Sequence, residues 1–247
     1  MDTWPGWSEP NKMNILPTDS TSQLPNSSTR QLSHSSTLQP VNSLTLQLFN
    51  SSTKRMNYLA HAYFSHNEPA TMVGNLISDF IKGKKQFDYP IDIQKGIRLH
   101  RAIDTFTDAH PAVAEAKQVF RPQYRLYAGA FVDVSFDYFI ANDRNLFATE
   151  DALEKFAQNA YVNMRQHAEW IPELARGYFD RMQQQNWLFN YRTVWGIQKS
   201  FGGIVYRSVH LTDSETAATL FEEHFFSLQR AYENFVPELM QMVESYR

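Results

Sequence analysis

From Met56 onward the apolar residues recur at intervals of three and four, and no stretch alternates apolar with polar residues up to a hairpin turn. That is the period of a helix face, not of a strand, so residues 56–247 are expected to form an all-α, single helical bundle. Helices are expected over 57–66, 69–82 (closed by Gly83), 91–108, 111–120, 123–142, 150–169, 171–185, 187–202 and 213–246. Pro69, Pro111 and Pro172 suit first-turn positions, and Asp108 and Thr212 suit caps. Pro122 is expected to separate two helices, and Pro237 to kink or split the last one.

Residues 1–55 are of another kind. They hold 18 Ser or Thr and repeat every eight residues, with Gln23, Gln31, Gln39 and Gln47 in one column and Thr29, Thr37, Thr45 and Thr53 in another. A period of eight matches neither helix nor strand, and the segment has too little apolar surface to offset its ordering entropy. A disordered low-complexity segment is expected over 1–55, followed by one folded domain over 56–247. The segment is either a real tail or a tandem DNA repeat read through from an upstream start codon. The sharp change at Met56 favours the second.

There is no cysteine in the chain, which excludes disulfides, thiolate metal sites and cysteine nucleophiles. Residues 56–247 carry 19 basic and 23 acidic side chains, a net −4, which is no footprint for nucleic acid or an anionic membrane. No apolar run approaches the ~18 residues of a membrane span, and no signal peptide opens the chain. A cytoplasmic protein is expected.

Chemistry enters where polar residues occupy apolar faces. On 91–108, Ile93 and Ile97 share a stripe with His100, Asp104 and Asp108, while Lys95, Arg98 and Ala102 lie opposite. Spacing of four brings such side chains within about 5–6 Å at Cβ. Asp133 and Asp137 repeat the pattern beside Gly129, Ala130 and Ile140; Asp79 aligns with Met72, Asn75 and Leu76, and His61 stands among apolar neighbours. Singly, each has a plain structural explanation: a hydrogen-bonded core His, Asp108 as a helix cap, Asp104 paired with Arg101. Together, four buried carboxylates would each cost several kcal/mol uncompensated, against a total stability of ~5–15 kcal/mol. Shared positive charge from a divalent cation is therefore expected, with Mn²⁺ or Mg²⁺ suiting the oxygen-rich set best and Fe or Zn also compatible.

Met-Asn-Tyr-Leu-Ala-His (56–61), Gly-Asn-Leu-Ile-Ser-Asp-Phe (74–80), Gly-Ile-Arg-Leu-His-Arg-Ala-Ile-Asp-Thr-Phe-Thr-Asp (96–108) and Asp-Val-Ser-Phe-Asp-Tyr-Phe (133–139) resemble the bacterial acyl carrier protein phosphodiesterases. Trp-Leu-Phe-Asn-Tyr-Arg (187–192) and the 197–207 stretch are also similar to that family, so the resemblance runs over essentially all of 56–247 in order. It implies a helical fold related to the HD phosphohydrolases and a divalent metal, usually manganese. It also implies release of 4′-phosphopantetheine from the serine of holo acyl carrier protein, an activity linked to fatty acid biosynthesis. Carried onto this chain, the metal candidates are His61, Asp79, His100, Asp104 and Asp133, with Asp137 and Asp108 next. HD hydrolases are named for an adjacent His-Asp pair, and no His here is followed by Asp, which leaves the ligand set open.

In such a reaction a metal held by carboxylate and imidazole activates water and polarises a phosphoryl oxygen. Asp104 or Asp108 would orient that water or take its proton, and Arg101, Arg192 and Arg207 are the candidates to clamp the phosphate. An acidic carrier protein would need a local basic face; Lys82, Lys84, Lys85, Lys95 and Arg98, with Arg101, are the candidates. Two other functions fit the same residues: an HD-type hydrolase of a free nucleotide, and a non-catalytic helical module whose carboxylates pair with arginines. A di-iron carboxylate bundle would want Glu-x-x-His pairs, which Glu222, Glu223 and His224 do not supply. The intact mass of the protein from its native organism is expected to match a chain beginning at Met56; a mass that includes residues 1–55 would refute the read-through.

Overall fold

The computed structural model describes residues 58–246. The expectation for 1–55 lies outside them. Every regular element among the described residues is helical, and none is a strand. The α-helices are α1 (Tyr58–Tyr63), α2 (Pro69–Ile77), α3 (Ile91–Ala109), α4 (Pro111–Tyr124), α5 (Ala128–Asn142), α6 (Glu150–Gln166), α7 (Glu173–Gln184), α8 (Trp187–Asn190), α9 (Val194–Arg207), α10 (Glu215–Glu223) and α11 (Phe225–Glu244). Short 3₁₀ turns cover Ser78–Phe80, Gly83–Asp88, Arg125–Tyr127 and Ala168–Trp170. No helix among the described residues is long and apolar enough to cross a membrane.

Helix α5 is the hub. Of its residues only Gly129 and Asn142 escape burial, as expected of a helix that is apolar nearly all round. It packs against α1, α4, α9 and α11. Aromatic rings fill the seams: Phe131 stacks on Phe120 at 5.5 Å, and Phe136 meets Phe235 at the same distance.

Several breaks fall elsewhere than the proline pattern predicts. Helix α4 runs through Pro122 to Tyr124 and ends where Arg125 takes φ +47°, since a proline in the last turn removes only one amide bond. Helix α11 runs through Pro237; the break in 213–246 comes at His224. Glu233, whose carbonyl loses its helical partner to Pro237, lies on the exposed side of the helix. The 187–202 helix is divided by Thr193, whose hydroxyl accepts from the Gly196 amide at 3.0 Å and starts α9. Asp108 and Thr212 are not the caps. The His110 ring caps α4 by accepting from Ala112 N–H at 3.2 Å, and the Asp213 carboxylate accepts from the Glu215 and Thr216 amides before α10.

Helices α2 and α3 meet backbone to backbone. A Cβ on Gly74 would stand 2.1 Å from the Ile93 carbonyl oxygen, and one on Gly96 would stand 2.0 Å from that of Thr71. Only glycine fits on both sides of that crossing, and the crossing brings the end of α2 alongside the middle of α3. Gly96→Ala is expected to cost about 3 kcal/mol in urea denaturation, the upper end for overpacking, because backbone rather than a side chain must yield. Gly177→Ala, exposed in α7 with nothing within 4 Å of its Cβ, is the matched control and is expected to gain up to about 1 kcal/mol.

Candidate metal centre

Helix α1 is six residues long, too short to persist alone, and polar contacts hold it at both ends. From the middle of α5, the Asp137 carboxylate accepts the amides of Leu59 (3.1 Å) and Ala60 (2.9 Å). These are donors that a helix start leaves without an intrahelical partner. Burial pushes the Asp137 carboxyl well above the usual range; the two amides pull it back, and the charge of Asp133 adds to the rise. At the other end the His61 carbonyl accepts from the Asn75 side-chain amide (2.9 Å) and the Ser65 hydroxyl (2.7 Å). Asn75 also donates to Ser65 at 3.0 Å. The backbone of His61 is thus pinned from α5 on one side and from α2 on the other.

Helix α3 presents His100 and Asp104 to it. The His61 and His100 rings stack at 4.0 Å with 17° between their planes. Both Nε2 atoms face the Asp104 carboxylate, at 3.5 Å from His61 and 3.4 Å from His100, and His100 Nε2 is also 3.5 Å from Asp79. These separations suit an ion pair and are long for hydrogen bonds. All four ring nitrogens are buried without a hydrogen bond. One ligand atom each from His61, His100 and Asp104 falls within 4.8 Å of the others, so the trio can hold a metal ion. Two stacked imidazoles cannot both carry charge cheaply. Burial, then the charge of His100, lowers His61. At His100 burial also acts downward, but contacts with Asp104 and Asp79 outweigh it and raise the ring to about 9. Burial opposes ionisation of Asp104, yet the two histidines hold its carboxyl well below the ordinary value.

The other candidate residues are dispersed. Asp79 borders the trio through His100. Asp137 lies outside the trio and caps α1 through the Leu59 and Ala60 amides. Asp133 lies one turn earlier on α5, buried beside Asp137 and outside the trio. Asp108 is exposed and 3.0 Å from Lys117. Arg101 donates to Gln86 (2.8 Å) and to the Ile81 carbonyl (3.2 Å), and Arg192 lies over Phe189 and 3.7 Å from Glu150. Arg207 is half-buried at the end of α9, where its charge reaches Tyr58 and Tyr178. Lys82, Lys84, Lys85, Lys95 and Arg98 are all exposed, Lys95 at 2.8 Å from Asp92. A cavity of about 340 Å³ among α6, α7 and α8 is lined by Leu76, Met164, Phe179 and Leu188 and by none of the trio. Sequence reasoning missed Asn75 and Ser65 as the anchors of His61, although an Asn on the apolar stripe of α2 was the available sign.

Comparison with known proteins agrees with the motifs. The model of the acyl carrier protein phosphodiesterase family matches residues 56–239. The acyl carrier protein phosphodiesterase of Klebsiella pneumoniae is 31% identical over 193 residues, covering 77% of this chain and 98% of its own. Its counterpart from Photorhabdus laumondii is 28% identical over 190 residues, with 77% and 96% covered. That of an Enterobacter strain is 30% identical over 185 residues, with 75% and 96% covered. No solved structure matches the chain.

The raised His100 makes a pH prediction for the metal-free protein. An unfolded His loses its proton near 6.5 and the folded one near 9, so the stabilisation is complete below about 6.5 and disappears as pH rises through about 9. Denaturation in a chelator should show stability falling by on the order of 2–3 kcal/mol across that window. His100→Gln should flatten the profile there. The lowered His61 acts in the opposite sense, and only below about 6.5.

Proposed function

The chain belongs to the acyl carrier protein phosphodiesterase family, and we propose that it hydrolyses 4′-phosphopantetheine from holo acyl carrier protein, leaving the apo form, with the help of a divalent metal. One observation carries the proposal: two buried imidazoles and a carboxylate, from two helices, have donor atoms within 4.8 Å of one another and no hydrogen bonds on the rings. Two imidazoles and a carboxylate without sulfur are compatible with Mn²⁺, and with Fe or Zn as well; the nitrogen donors make Mg²⁺ the poorer match. His61, His100 and Asp104 would hold the ion, with Asp79 at its edge.

Such an ion supplies a nucleophilic water at neutral pH and neutralises charge on the phosphoryl group. The protein's own part is arrangement. Asp137 and Asn75 hold the α1 backbone from which the His61 ring projects. The proton that His100 holds without metal marks where the acidic side chains demand positive charge, and it must leave for the ring to become a ligand. Asp79 touches His100 alone of the trio, so its carboxylate can orient the attacking water and accept its proton. Arg101 and Arg192 are held by Gln86, Ile81, Phe189 and Glu150, and the charge of Arg207 bears on Tyr58, one turn before His61.

An acidic carrier protein would dock on the 3₁₀ segment Gly83–Asp88 and the adjoining face of α3. Lys84, Lys85 and Arg98 are exposed there, and Phe87 and Ile91 stand 62% and 60% exposed among them. Arg101 ties that segment to the helix that carries His100 and Asp104.

Incubation of residues 56–247 with holo carrier protein and Mn²⁺ is expected to release phosphopantetheine, read as a mass loss on the carrier, and EDTA should stop it. Asp104→Asn should lower the rate by about 100-fold or more. Lys84→Glu with Lys85→Glu should raise KM for the carrier protein and leave a small phosphodiester unaffected. Absence of both bound metal and product would overturn the proposal, and turnover of a nucleotide in place of the carrier would redirect it.

A further inference from the structure

The cavity among α6, α7 and α8 takes no part in the chemistry described so far. Its floor is apolar: Leu76, Met164, Phe179, Met182 and Leu188 line it, and all are buried. The Leu188 amide donates to the Tyr161 hydroxyl at 3.0 Å, which joins the α6 and α8 walls and leaves the space preformed. The mouth is of another kind. Arg165, Glu169, Arg176 and Asp180 stand there, all exposed, with Gln183 half-buried beside them. A volume of about 340 Å³ falls at the lower end of ligand pockets, room for one small organic chain and not for a partner's helix.

The polar groups at the mouth select the occupant. Two guanidiniums are matched there by two carboxylates, and Arg176 already lies 3.0 Å from Glu173, so neither a free carboxylate nor an ammonium gains net attraction. Guanidinium donors, carboxylate acceptors and a carboxamide that is both suit a neutral chain with amide groups. The floor takes the apolar end of such a chain, and the flexible Met164 and Met182 adapt to its shape.

The cavity also adjoins the candidate metal centre. Leu76 stands three residues before Asp79, and side chains so spaced leave a helical segment on the same side. Phe179 packs on Phe80 at 5.9 Å and meets Tyr58, one turn before His61, edge-on at 6.2 Å. Two wall residues thus belong to, or pack on, the segments that carry Asp79 and His61.

We infer that this cavity receives the pantetheine arm, the neutral amide chain that stays on phosphorus when the serine of the carrier leaves. The inference rests on the phosphodiesterase reading and deepens it, because it places the part of the substrate that a small phosphodiester lacks.

The test uses pantetheine without its phosphate as probe, on the full chain without metal, with binding followed by saturation-transfer NMR. Ala168 lines the cavity and is exposed, so Ala168→Trp narrows the entrance without touching the core, and it is expected to weaken binding about 10-fold or more. Gln183→Ala should weaken it about fivefold, as loss of a hydrogen bond to a neutral group does. Lys155→Ala, on the same helix α6 but paired with Asp151 away from the cavity, should leave binding unchanged. Octanoate, whose end is charged, should bind less tightly than pantetheine. The inference is overturned if wild type does not bind pantetheine, if it prefers octanoate, or if a folded Ala168→Trp with unaltered melting binds within twofold of wild type. Should that variant fail to fold, Gln183→Ala and the octanoate comparison still decide the matter. Neither hydrolysis nor carrier protein enters the binding assay, so the two readings can fail separately. Pantetheine binding that Ala168→Trp abolishes, without turnover of holo carrier protein by wild type, removes the substrate proposal alone. Turnover of the carrier by Ala168→Trp with unchanged KM removes this inference alone.

Discussion

The direct contact between the backbones of α2 and α3 is the constraint on which the cluster of His61, His100, Asp104 and Asp79 depends. With glycine at 74 and at 96 the helix axes approach more closely than any side chain would permit, and Asp79, just past the end of α2, arrives beside His100. Asn75, one residue after the first of these glycines, reaches the His61 carbonyl and so gathers α1 onto the same crossing. Three helices are thereby registered at a single place. A shift of an ångström at the crossing would separate acids from imidazoles whose mutual distances are only 3.4–3.5 Å.

Buried carboxylates in this fold are compensated in different ways. Asp104 lies between two histidines, and Asp79 meets one of them. Asp137 accepts the two amides at the start of α1, and burial still holds its carboxyl well above the usual range. A helix start supplies positive potential, and here the helix it stabilises is the one that carries His61.

Around the trio the fold separates functions by depth. The imidazoles are buried, Asp79 and Asp104 reach the surface with about a fifth to a quarter of their side chains, and the basic 3₁₀ segment is fully outside. Arg101 joins the last two layers through its bonds to Gln86 and Ile81. A guanidinium that reads from sequence as a phosphate clamp thus acts as a tether for the surface loop.

Sequence alone determined the all-helical class and the pairing of His100 with Asp104. Both follow from the 3.6-residue period, which is local covalent geometry and holds in any surroundings. The repeat also pointed onward to Asp108, yet α3 turns that residue to solvent and Lys117, because burial along a helix ends where its neighbours end. The helix breaks come at Arg125 and His224, not at Pro122 and Pro237, which the proline pattern alone did not reveal. That the His61 ring would stack on His100 over Asp104, and that Asp137 would accept the amides at the start of α1, only the tertiary structure decided. Those contacts span more than thirty residues, and their partners are selected by how closely helices can cross, which no local pattern encodes.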